Sequence, residues 1–181
     1  QQHAHVFTDT TAVKHAELWE PWTGRFRELA SEAMPRTYHS WSLLLGDGRV
    51  ISGGGGLCDD CQTNHPDVQV FTPPYLLQAD GSPRERPRIT SSAPKTVERG
   101  SLLRVRTDRE VTSFAMVRTG SATHAVNSDQ RRVAIPATQV SGTAYDLVLP
   151  TDAGTLVPGS YLLFALDAAG TPSVGQWVRV P

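Results

Sequence analysis

No apolar run in this chain approaches the roughly 20 residues that a helix needs to cross a bilayer, and the start, QQHAHVF, has neither a charged n-region nor an apolar h-region. Neither sign of charge prevails: 17 Lys and Arg stand against 18 Asp and Glu, and the basic residues are dispersed. Without a basic stripe, nucleic acid is excluded as an expected partner. Helical periodicity is also missing, because no stretch repeats apolar residues at three- and four-residue spacing. An initiator Met is lacking too, which points to a processed or excised piece of something longer. What the 181 residues do have is a 39% apolar fraction, enough for a packed core in one domain or two small ones.

Cysteine is scarce as well. Only Cys58 and Cys61 occur, in GGGGLCDDCQTNH. A CxxC pair reads as half a zinc site, a redox motif or a local disulfide. Zinc needs two more ligands, of which His65 offers one, and there is no second CxxC. A redox pair belongs at a helix N-terminus, whereas this one follows four glycines. The disulfide is the preferred reading, and it implies an oxidising compartment, secreted or at the cell exterior.

The apolar pattern is that of short strands. AELWEP (16–21), YHSWSLLL (38–45), RVISGG (49–54) and DVQVFTP (67–73) each run about five residues between Gly, Pro and Asp signals. LLLGDGRVISGGGG reads as a hairpin turning at Gly46-Asp47-Gly48, after which Gly53 to Gly56 allow close backbone approach. Together these pieces have the look of one blade of a kelch-like β-propeller. A single blade leaves large apolar areas uncovered, so the remaining blades must come from elsewhere. QADGSPRERPR (78–88) marks a linker. Beyond it RITSSAP, SLLRVRTD, VTSFAMVR, RRVAIPA, AYDLVLP, YLLFALD and QWVRVP predict an immunoglobulin-like β-sandwich. The expected organisation is all-β, with residues 1–78 as the C-terminal part of a propeller and 79–181 as the sandwich.

Against this background, Tyr38 and His39 stand together at the head of an apolar strand, and His124 lies far downstream in ATHAVNSDQRR. A phenolate oxygen and two imidazole nitrogens form a mixed donor set suited to copper(II), with room for an exchangeable ligand. The plainer alternative is a core tyrosine, on the opposite side of a strand from a surface histidine, and an unrelated loop histidine. The density of polar groups around His124 (Asn127, Asp129, Gln130, Arg131, Arg132) favours a site, since such groups can aim an imidazole.

PRTYHSWSLLLGDGRVISGGGGLCDDCQTNHPDVQVFTPPYL, TGSATHAVNSDQRR and LVPGSYLLFALDAAGTPSVGQWVRV together resemble the C-terminal part of the galactose oxidase and glyoxal oxidase-like copper radical oxidases, over essentially the whole chain. The resemblance implies the last blade region of a seven-bladed kelch-like propeller followed by an immunoglobulin-like early-set sandwich. It implies Tyr38 as the axial copper tyrosine and catalytic base, His39 as its neighbouring equatorial ligand, and His124 as the ligand delivered by a loop of the last domain. Phe7 matches, on fewer residues, an aromatic wall of the substrate pocket, and Cys58 and Cys61 match the family's short disulfide.

The family's radical cofactor is a tyrosine cross-linked to a cysteine, and the only cysteines here are in the CxxC motif. The resemblance therefore implies a companion chain or cleaved N-terminal fragment that supplies this Tyr-Cys cofactor and completes the propeller. The expected reaction is oxidation of a primary alcohol or aldehyde, carbohydrates included, by O2 to an aldehyde or acid plus H2O2. An inactive glycan-binding or purely structural propeller and sandwich module is the alternative.

Overall fold

The computed structural model describes residues 8–56, 59, 63–91 and 96–181. Phe7, Cys58 and Cys61, singled out above, lie outside the described residues. The chain divides into two compact units, one of Gln1–Leu43, Ile51–Phe71 and Ala122–Asn127, the other of Leu44–Val50, Thr72–Ser121 and Ser128–Pro181. No described residue is in an α-helix; one short 3-10 turn spans Pro74–Leu76. No helix among the described residues is long and apolar enough to cross a membrane.

In the first unit, β1 (His15–Glu20) pairs antiparallel with β2 (Arg25–Ser31). The connecting turn closes where Gly24, at φ +66°, donates its N–H to the Glu20 carbonyl at 2.8 Å. Sequence patterning does not pick out β2, because almost every residue of RFRELAS is exposed and no apolar alternation marks it. Trp19 and Phe26 are directly opposed across this ribbon and remain 53% and 66% exposed. A second sheet has the order β3-β4-β5, from Trp41–Leu44, Val50–Gly53 and Val68–Phe71. Val68 and Val70, on one face of β5, are also exposed. Apolar side chains in this arrangement leave open faces on these sheets.

The second unit contains two antiparallel sheets, a four-stranded one in the order β10-β7-β13-β14 and a three-stranded one in the order β11-β12-β6. These strands are β6 (Leu102–Arg106), β7 (Ser113–Arg118), β10 (Arg132–Ile135), β11 (Ala137–Ser141), β12 (Ala144–Val148), β13 (Gly159–Leu166) and β14 (Gln176–Val180). Strand β6 alternates strictly, burying Leu103 and Val105; each contributes about 1.5–3 kcal/mol of burial free energy. The same alternation puts Val133 and Ile135 of β10 into the core with Phe114, Met116, Tyr145, Leu147, Leu163 and Val178. Strand β13 lies between two partners and reads as a nearly continuous buried run. Both sheets contribute to one core, which makes this unit a β-sandwich.

Several expectations need correction. RITSSAP contributes only an isolated bridge from Ile89 to Thr107 among its described residues, and β11 takes the seventh place. Every residue of β11 is exposed, so ATQVS carries no apolar signal. Of the Gly46-Asp47-Gly48 turn only Gly48 adopts positive φ, +82°. The segment 78–88 is docked onto the second unit rather than a free linker: Arg86 donates to the carbonyls of Pro172 and Ser173, both at 2.7 Å. Strand β3 begins at Trp41, so Tyr38 and His39 are not strand residues.

Candidate metal centre

Tyr38 and His39 occupy a turn closed by the Ser40 N–H donating to the Thr37 carbonyl at 3.1 Å, with Thr37 and Ser40 buried. His39 has φ +67°. In an extended strand, neighbouring side chains point to opposite faces. The left-handed turn undoes that separation and brings the two ring centroids to 4.0 Å. The expectation of a pair on alternating sides of a strand is thus replaced by one in which both rings share a side.

The glycine run explains how the turn is held. Gly56 donates its N–H to the Tyr38 carbonyl at 2.7 Å, and its own carbonyl lies 2.7 Å from His39 Nδ1. A carbonyl only accepts, so His39 Nδ1 carries the proton and the lone pair of the neutral ring is on Nε2. A Cβ on Gly56, which has φ +85°, would come within 2.2 Å of the Thr63 carbonyl oxygen, so only glycine fits between the two backbones.

His124 arrives on a two-residue hairpin between β8 (Ala122–Thr123) and β9 (Val126–Asn127). His124 and Ala125 have φ +53° and +61°, the signature of a type I′ turn, where Asn-Gly would be favoured. The Ala125 N–H donates to the Ser40 carbonyl at 2.6 Å, fixing the hairpin tip on the Tyr38-His39 turn. The His124 ring centroid then lies 4.6 Å from His39 and 5.4 Å from Tyr38, edge-on to both. Thr123 Oγ1 is 2.7 Å from its Nδ1. Of the polar residues expected to aim this ring, two engage other groups: Asp129 pairs with Arg118, and Arg131 donates to the Gly154 carbonyl.

A partly buried Arg36 braces the turn. It donates to Glu32 at 3.0 Å, to the Gly54 carbonyl at 3.1 Å and to Asp67 at 2.8 Å. The hydrogen bond from Arg36 holds the Asp67 carboxyl below the ordinary carboxylate range, with the guanidinium charge acting in the same direction. Motif reading missed Arg36 and Thr123: the first resembles any solvated arginine, and the second is a hydroxyl whose reach to its neighbour His124 shows only in the turn. Gly56 is legible as a site of close approach, but its bonds to Tyr38 and His39 depend on contacts distant in sequence.

A phenol oxygen and two imidazoles, held together by backbone bonds, form a donor set of the kind divalent copper favours. Tyr38 is 40% exposed, so the cluster can be reached from outside. Two of its three members sit at positive φ in non-glycine residues, strain of about 1–3 kcal/mol each that persists where a site over-determines the backbone. His65, the histidine offered above as a further zinc ligand, has a buried ring bonded through Nε2 to Asp9 Oδ2 at 2.9 Å.

The model of the galactose oxidase-like early-set domain matches residues 86–180. A galactose oxidase of Gibberella zeae is 42% identical over 99% of this chain, and an aldehyde oxidase of Arabidopsis thaliana is 32% identical over 89%. The chain spans 26% and 29% of the lengths of those two relatives. Among solved structures, a fungal alcohol oxidase of the AA5 family in complex with copper superimposes with a TM-score of 0.92 at 39% identity, covering 98% of this chain and 38% of its own.

Proposed function

The chain belongs to the galactose oxidase-like family, homologous to the C-terminal part of the galactose and glyoxal oxidase copper radical oxidases, and on that premise we propose that Tyr38, His39 and His124 hold copper(II) in an enzyme oxidising primary alcohols or aldehydes with O2. Residues 1–78 then contribute the last blade region of a seven-bladed kelch-like propeller, and 79–181 form the early-set sandwich. A companion chain or a cleaved N-terminal fragment covers the apolar strand faces marked by Trp19 and Phe26 and brings the Tyr-Cys radical group. Phe7 lines the substrate pocket, and Cys58 and Cys61 form a disulfide suited to a secreted or cell-surface protein.

The observation carrying this reading is the convergence of three rings from distant segments, centroids 4.0–5.4 Å apart. Copper(II) together with the cross-linked tyrosyl radical supplies Lewis acidity and the two-electron oxidation that leaves H2O2 as the second product. His39 offers Nε2, because Gly56 engages Nδ1. His124 is presented by a hairpin whose tip is bonded to Ser40, so its distance from His39 is set by backbone. Held as a phenolate by the metal, Tyr38 would take the hydroxyl proton of the substrate and become a neutral phenol, a role that its partial exposure permits.

The test is peroxide release from primary alcohols and aldehydes by the completed, copper-loaded protein. Tyr38→Phe removes the proton acceptor and should lower kcat about 100-fold or more while KM changes little. A wild-type protein that yields no peroxide from any such substrate would leave an inert binding or structural module.

A further inference from the structure

His65 and Asp9 are a titratable pair that the copper reading does not use. The His65 ring is only 6% exposed, and the Asp9 carboxylate accepts from its Nε2 at 2.9 Å. The His65 backbone N–H donates to the Gly55 carbonyl at 3.0 Å. The next residue, Gly56, bonds both members of the Tyr38-His39 turn, at the Tyr38 carbonyl and at His39 Nδ1. Thr63, two residues before His65, leaves no room for a Cβ on Gly56, so this segment lies close against the glycine strap. Asp9 is thereby linked to a candidate copper ligand through hydrogen bonds joined by covalent steps: the carboxylate to the buried imidazole, the His65 amide to the Gly55 carbonyl, and, across the Gly55-Gly56 peptide, the Gly56 carbonyl to the His39 ring.

We propose that Asp9 and His65 are positioning residues whose pair fixes the Gly55–Gly56 strap and so the angle at which His39 presents Nε2. This rests on the copper reading above. A bare structural pair would affect stability alone, whereas a positioning pair also changes the metal's ligand field. A hydrogen-bonded partner behind a ligating imidazole typically changes metal affinity 10–100-fold, and a partner acting through the His65 backbone and the Gly55-Gly56 peptide belongs at the low end of that range.

The experiment uses the completed protein, titrated with Cu(II) alone and examined by electron paramagnetic resonance. His65→Ala should weaken Cu(II) binding about 10-fold and change the copper hyperfine splitting. His65→Gln, whose amide can still donate to Asp9, should restore most of both. Asp9→Ala, at a side chain already one-third exposed, gives the same readout should His65→Ala fail to fold. Wild-type affinity and hyperfine splitting in both alanine variants, whatever their melting temperatures, would overturn the positioning role. Separately, absence of Cu(II) uptake by wild type, or its persistence in His39→Ala, would overturn the parent copper reading and the proposal with it.

Discussion

Gly56→Ala is the substitution in which the geometry leaves least room for compensation. An added Cβ would sit 2.2 Å from the Thr63 carbonyl oxygen and 2.7 Å from its carbon, both backbone atoms that no rotamer change can move. At φ +85° alanine also takes on the left-handed penalty of about 1–2 kcal/mol. Displacing the Thr63 segment by roughly an ångström adds about 1–3 kcal/mol of overpacking strain. The expected total is about 2–5 kcal/mol, expressed as a lowered urea midpoint and, because Gly56 bonds the His39 ring, as weaker Cu(II) uptake. Gly24→Ala is the control: φ is +66° there, but nothing lies within 4 Å, so only the left-handed penalty applies. Equal effects of the two substitutions on stability and copper binding would refute the view that the glycine strap holds the turn.

Other outcomes follow from the same contacts. Ala125→Gly relieves a left-handed residue in the His124 hairpin; against the entropy cost of glycine, the net gain should be about 0.5–1 kcal/mol, seen as slower hydrogen exchange of the β8–β9 amides. Tyr145→Phe deprives the buried Val111 N–H of its acceptor at 3.0 Å and should cost about 1–3 kcal/mol in a urea melt. Asp67 has a depressed folded-state pKa, so its contribution is present above the unfolded carboxyl value of about 3.9 and is lost as pH falls through the lower folded value. Arg36→Gln should therefore raise the Asp67 titration midpoint measured by NMR.

The strands of the second unit were legible because strict alternation, as in Leu103 and Val105 or Val133 and Ile135, reports directly which face is buried. β11 and β2 were not, since strands with little or no burial leave no apolar trace. Tyr38, His39 and His124 could be selected by residue type, but not their arrangement. Positive φ at two histidines contradicts local preference and arises only when backbone partners such as Gly56 and Ser40 impose it. Likewise Arg86 reads as linker charge until the Pro172 and Ser173 carbonyls that it satisfies come into view.

Titration of the completed protein with Cu(II), compared with His39→Ala and His124→Ala, tests the central claim most directly. The account predicts one tightly held copper per chain in the wild type, with an electron paramagnetic resonance spectrum showing nitrogen coupling, and loss of that signal in either variant while the fold persists. One equivalent of copper bound with unchanged affinity and spectrum in both variants would contradict it.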